Sequence, residues 1–130
     1  NTACAVALKN LEIIEEEKLN ENVNEMGAEL LKGFKYLEQT HEEIGNIRQI
    51  GLLGAIEIFK DREAKIRFEE PVSPLVIEEA LKHGMIGRSI IYEGQDTIAF
   101  APPFCITKEE VEKMISIVDE SLTAVKQRLA

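Results

Sequence analysis

Gly84 to Cys105, GMIGRSIIYEGQDTIAFAPPFC, constrains the fold of this chain more than any other stretch. It reads as two short strands folded back on each other. Met85, Ile86, Ile90 and Ile91 are apolar residues with strand propensity. Glu93-Gly94-Gln95-Asp96 is turn chemistry in which Gly94 can take positive φ, and Thr97 to Phe100 make the return strand. Pro102-Pro103 ends the pairing, because neither proline has an N–H to give to a ladder. Arg88 falls inside the first strand, between Gly87 and Ser89. A guanidinium there either lies on a solvated face or points into a cleft to grip an anion in bidentate fashion.

The rest of the chain reads as helices around this hairpin. Thr2 to about Leu19 has helical character. Ala3, Cys4, Ala5, Val6, Ala7 and Leu8 are apolar on every side, which is the pattern of a helix buried all round. A chain that opens on such a helix has either lost what covered it or packs it against its own domain or a twin subunit. Asn20 reads as the cap of a second helix from Glu21 to about Thr40, with Val23, Met26, Leu30, Phe34 and Leu37 as one stripe. Gly27 and Gly33 within it suggest close approach to another helix. Ile44 to Phe59 is a central strand region, bent at Gly51, in which Glu57 is expected to face solvent. Arg48, just before the bend, is a candidate for anion binding or for pairing with the acidic surface.

Lys60 to Pro71 is a charged connection, polar enough to move, with Ile66 and Phe68 as anchors. Ser73-Pro74 then reads as the N-cap and first position of a helix that ends at Gly84. Thr107-Lys108-Glu109-Glu110 is a capping box that opens the last helix, whose stripe is Val111, Met114, Ile115, Val118, Leu122 and Val125. The order is α-α-β-α-β-β-α. It implies an α+β two-layer domain, with a mainly antiparallel sheet of three to four strands covered by helices.

With 130 residues the chain is one domain's worth. Its net charge of −9 argues against a nucleic-acid surface, which needs clustered Lys and Arg. No apolar run reaches the roughly 18 residues of a membrane span. Cys4 and Cys105 fit no metal spacing and no disulfide framework, so they are expected to be reduced thiols in a cytoplasmic protein. His41 and His83 sit in polar neighbourhoods and are expected at the surface. No Gly-rich phosphate loop, catalytic triad or metal cluster stands out. The absence of an initiating Met suggests a processed chain or a fragment.

Three blocks add what spacing alone does not: ACAVALKNLEIIEEEKL, GNIRQIGLLGAIEIFKD and HGMIGRSIIYEGQDTIAFAPPFCITKEEVEKMISIVDESL. In this order the sequence resembles the class III aminotransferases, pyridoxal-phosphate enzymes of fold type I, over essentially its whole length. The resemblance implies that residues 1–130 are the C-terminal small domain, and that the cofactor-binding large domain lies upstream of Asn1. Asn1 resembles part of a family element leading into the helix, with Thr2 departing from the usual proline. The Schiff-base lysine, the aspartate on the pyridine nitrogen, the stacking aromatic residue and the phosphate-binding threonine are all expected upstream. No catalytic, cofactor-binding or metal-binding residue is therefore expected in this segment, and pyridoxal phosphate is not expected to bind it alone. Arg88 in GMIGRS matches the arginine that grips the substrate carboxylate in the ω-amino-acid:pyruvate branch, with Gly87 departing from the larger residues often seen there. The resemblance further implies a homodimer that acts on a small amino donor and a keto-acid acceptor.

Overall fold

The apolar stripes of three helices build the core of the computed structural model, which describes residues 1–129. The elements are α1 (Thr2–Glu16), α2 (Leu19–Thr40), β1 (Ile44–Ile50), β2 (Leu53–Ile58), α3 (Ser73–Lys82), β3 (Arg88–Tyr92), β4 (Gln95–Phe100) and α4 (Lys108–Leu129). The strands form one antiparallel sheet in the order β1-β2-β4-β3. The expected α+β class is therefore correct. The central strand region is a hairpin, however, so the order is α-α-β-β-α-β-β-α. Gly51 takes φ +54 at the turn and splits the run in two. The second turn is tighter than expected: Glu93 and Gly94 alone make it, both at positive φ, and Gln95 and Asp96 already belong to β4.

One face of the sheet is covered by helices. Leu30, Phe34 and Leu37 of α2, Val76 of α3 and Val111, Val118 and Val125 of α4 pack with Ile56, Ile58, Ile98 and Phe100 in a single core. Gly33 lets α4 approach, since a Cβ there would stand 2.4 Å from Ile115 Cγ1. Gly27 serves a different contact from the expected one. Its neighbour is the β1–β2 turn, with Gly51 O 2.7 Å from where a Cβ would lie, not another helix. Gln49 secures that contact by donating to the carbonyls of Gly27 and Gly51 at 2.6 and 2.7 Å.

Several caps and buried polar groups differ from the sequence expectation. The expected capping box at α4 is present: Thr107 N–H donates to Glu110 and Glu110 N–H to Thr107 Oγ1. At α2 the residue before the helix is Lys18, in the left-handed region at φ 52, and Asn20 lies inside the helix. At α3 Ser73 is the first helical residue and makes no side-chain cap. The cap comes from the sheet. Asp96 of β4 is buried, and its carboxylate accepts from the N–H of Val72 at 2.6 Å and of Ser73 at 3.0 Å. His41, expected at the surface, is buried and lies 2.6 Å from Asp119 of α4. Glu57 is likewise buried at 3% exposure. Arg67 Nη2 stands 2.9 Å from Glu57 Oε1, and Asn46 donates to Oε2 at 3.2 Å. The charged connection is thus tied down by Arg67, which also donates to the carbonyl of Gly94. Phe68 packs on the core, while Ile66 stays half exposed and instead closes a backbone bridge with Asp61.

The opening helix has no cover. No residue of α1 is buried, and Val6, Leu8 and Leu11 are about 60% exposed. Cys4 and Cys105 are both exposed and unbonded. His83 is at the surface, as expected. No helix among the described residues is long and apolar enough to cross a membrane.

The Asp96 cap gives the first test. Asp96→Ala leaves two buried N–H groups without an acceptor and is expected to cost about 2–3 kcal/mol. Asp96→Asn, which keeps one carbonyl acceptor, should cost clearly less. Urea unfolding of the three proteins checks the ranking; equal stability of wild type and Asp96→Ala would refute the cap.

Candidate functional site

Side chains alternate across a strand, so the residues between the buried ones must face away from the helices. Ile56 and Ile98 are completely buried under the helices. Their neighbours Ala55 and Ala99 therefore point to the opposite, open face. The register carries this across the sheet: Arg48 lies opposite Ala55, Ala55 opposite Ala99, and Ala99 opposite Arg88. These four residues form one row, with an arginine on each edge strand and two alanines as the floor. At the usual strand spacing of about 4.8 Å the two arginine Cα atoms are roughly 14 Å apart. The row crosses an open depression of about 560 Å³.

Arg88 opens β3 and is exposed. What brings it there is the path from α3. Gly84, at φ +85, ends the helix, and the Met85 N–H bonds back to the Ala80 carbonyl. Gly87 then passes under α3, where a Cβ would meet Ile77 Cδ1 at 2.6 Å. The small residue beside Arg88 thus serves the packing of strand on helix. The lone arginine of the hairpin and the arginine before the Gly51 bend, 40 positions apart in the chain, are brought to the same depression. Their pairing is invisible without the register.

The electrostatics of this row are unusual for the molecule. Of the five arginines in the sequence, three are engaged. Arg62 donates to the carbonyls of Glu38 and Ile44, Arg67 pairs with Glu57, and Arg128 pairs with Glu79 at 2.7 Å. With Lys82 contributing most and Arg128 next, these cations hold the Glu79 carboxyl below the usual carboxylate range. Arg48 and Arg88 make no ion pair or hydrogen bond with the described residues. No acid lines their depression, in a chain with 24 acidic residues. The nearest acid on that face is Glu57, two residues along β2 from Ala55, and Arg67 already pairs with it. The arrangement can bind an anion through bidentate hydrogen bonds; it offers no proton-transfer group. Among the described residues no cluster of three His, Cys, Asp or Glu could hold a metal.

The family model described as aminotransferase class-III matches residues 1–122. The taurine–pyruvate aminotransferase of Bilophila wadsworthia is 36% identical over 127 residues, covering 95% of this chain and 28% of that protein. A transaminase from the marine bacterium Virgibacillus has a structure with TM-score 0.94 and 39% identity, covering 99% of this chain and 30% of that one. The omega transaminase of Pseudomonas jessenii in complex with PMP superposes with TM-score 0.85 at 34% identity, covering 95% of this chain and 26% of that one. The chain thus spans under a third of the length of the proteins it matches. The matched family works with pyridoxal phosphate. No lysine among the described residues lines the Arg48–Arg88 depression. Lys126, hydrogen-bonded first by Glu42 and then by Glu43, is pushed above the ordinary lysine range, the wrong direction for an amine that must form an imine.

The open row predicts a contrast in stability. Arg48→Ala and Arg88→Ala remove exposed, unpartnered side chains and should each change stability by less than about 0.5 kcal/mol. Arg67→Ala strands the buried Glu57 carboxylate and should cost about 1–3 kcal/mol. Denaturant midpoints check both. A large loss at Arg88 would mean that it supports the fold.

Proposed function

We propose a function from one premise: this chain belongs to the class III aminotransferase family. The chain is the C-terminal small domain of a pyridoxal-phosphate-dependent aminotransferase. The parent moves an amino group between an ω-amino acid or amine and a keto acid such as pyruvate. It does so in the cytoplasm, as a homodimer whose cofactor lysine lies upstream of Asn1. The observation that carries the site assignment is Arg88: exposed, free of any partner among the described residues, and facing a depression without an acid. The name of the Bilophila relative, a taurine–pyruvate enzyme, supports the acceptor class. The exposed apolar side chains of α1 support burial against the rest of the subunit or its twin.

The chain's own part in the chemistry is recognition. A planar guanidinium matches a carboxylate with two parallel hydrogen bonds, and a lysine cannot copy that fork. Because Arg88 stands on an edge strand over small floor residues, its side chain has room to close on a carboxylate or withdraw from an uncharged substrate. The alternative reading is a free-standing α+β domain that holds an acidic ligand at the Arg88 hairpin. Its support is that the described residues have a core of their own. The coding sequence upstream of Asn1 decides: an open reading frame without a cofactor-lysine region would exclude the aminotransferase.

In the full-length enzyme, Arg88→Ala is expected to lower kcat/KM for carboxylate-bearing acceptors, by a factor that corresponds to on the order of 2–5 kcal/mol of lost transition-state stabilisation. The half-reaction with an amine donor lacking a carboxylate should be largely spared. An equal fall in both half-reactions would make Arg88 structural or cofactor-bound, and no fall would make it a solvated surface residue. The isolated 130-residue chain, mixed with pyridoxal phosphate and dialysed, should keep no absorption band of a lysine imine. A stable band would show that the attachment site lies in this chain after all.

A further inference from the structure

We infer that the chain holds a second binding site, a pocket of about 190 Å³ on the helix-covered face of the sheet, and that it takes a small uncharged apolar molecule, an aromatic ring or a short branched alkyl group. The site lies away from the Arg88 depression and does not depend on the aminotransferase reading. Three parts of the core meet around it. Ile58, the last residue of β2, contributes from the sheet, Val72 and Val76 from the start of α3, and Leu122 and Val125 from α4. All five are at most 6% exposed. Phe68 of the charged connection closes a further side, and Leu129 stands half exposed at the rim. Protein interiors are normally packed so closely that few voids exceed one water molecule. This space is several waters large, yet its inner wall is apolar. Water needs two to four polar partners to settle in such a place, and these five side chains offer none.

Charge and size then choose the ligand. The ionisable side chains lining the pocket are Glu43 and Lys126. They already satisfy each other: Lys126 Nζ stands 2.7 Å from Glu43 Oε1 and 2.8 Å from Glu42 Oε1. An anionic head must compete with both carboxylates for that one cation, and it meets them as like charges. A cationic head must displace Lys126 from Glu43. An uncharged apolar group leaves the pair intact and gains the burial of its own surface and of the wall it covers. Size agrees. An apolar cavity of about 150 Å³ lined by Leu, Ile and Phe stays dry and binds benzene. The somewhat larger pocket here, with a comparable lining, accommodates one ring with a small substituent.

The test uses the full-length protein and bromobenzene, whose bromine is located directly by anomalous scattering. Soaked crystals should show bromine in contact with Val76 and Val125. In solution bromobenzene should raise the thermal midpoint in a saturable way, as a ligand of the folded state does. Val125→Phe fills the pocket from its inner wall and should weaken that binding by about tenfold or more. Val125→Leu fills it less and should weaken binding less; it carries the test if the larger residue prevents folding. Para-bromobenzoate and para-bromobenzylamine present the same ring with a charge, and crystals soaked in them should show no bromine here. An empty pocket after the bromobenzene soak, as when upstream residues of the subunit fill it, would overturn the inference. So would a midpoint shift undiminished in both variants, which would place the binding elsewhere. Bromine in the crystal with no shift in solution would mean binding at crystal concentration only and would equally end the proposal. Occupancy by either charged probe equal to that of bromobenzene would refute the uncharged class. No readout passes through amino transfer, so failure of the aminotransferase reading leaves these outcomes unchanged.

Discussion

The contact on which the site depends is not in the site. Asp96 lies inside β4, buried, and its carboxylate holds the N–H groups of Val72, just before α3, and of Ser73, its first residue. A carboxylate at a helix N-terminus satisfies orphan donors and meets the positive end of the helix dipole. Here the helix and the strand that caps it are also the two elements that flank Arg88 in sequence. α3 leads into β3 through Gly84 and Gly87, and β3 pairs back onto β4 next to Asp96, where Ile91 is the partner residue. The cap thus closes a small ring of structure: α3, the passage under Ile77, β3, the two-residue turn and β4. The place where Arg88 enters the sheet follows from that ring.

Much of this was legible in the sequence because it is local. The β3–β4 hairpin, the Thr107 capping box, the stripes of α2 and α4 and the end of α3 at Gly84 each depend on residues within a few positions of one another. The misreadings share the opposite property. Ser73 looked like a cap, but the oxygen that does the work comes from Asp96. His41 and Glu57 looked solvated, because the groups that let them be buried, Asp119 and Arg67, lie far along the chain or inside a segment that reads as mobile. A buried polar residue is expensive alone and ordinary when partnered, and a linear sequence does not display partners. Gly51 marks the break of Ile44–Phe59 into two strands, but the continuous apolar run argues for one interior element.

The candidate site was legible in part for the same reason. Arg88 stood out as a charge in an apolar hairpin, and family resemblance gave it a role. Arg48 stood out only as an arginine before a bend. Its relation to Arg88 passes through two residues, Ala55 and Ala99, that carry no chemistry and attract no notice in a sequence. Once the strand order β1-β2-β4-β3 is known, the edge strands become β1 and β3, and the two arginines occupy corresponding places on them. Small residues matter here by what they leave open.

Charge distribution sets this arrangement apart from the rest of the surface. An anion far from the molecule meets a net charge of −9 and is repelled. Beyond about 8 Å at physiological ionic strength that repulsion is largely screened. Within the depression the balance reverses, because the only formal charges lining it are the two guanidiniums. Elsewhere the excess of glutamate does the opposite work. It ties Lys32, Lys82, Lys108, Lys126 and Arg128 into surface pairs, so that exposed cations compete less for the same anion. Each such pair adds little to stability. Collectively they reduce competing positive charge elsewhere on the surface, while the depression on the open face of the sheet is lined by two guanidiniums and no acid.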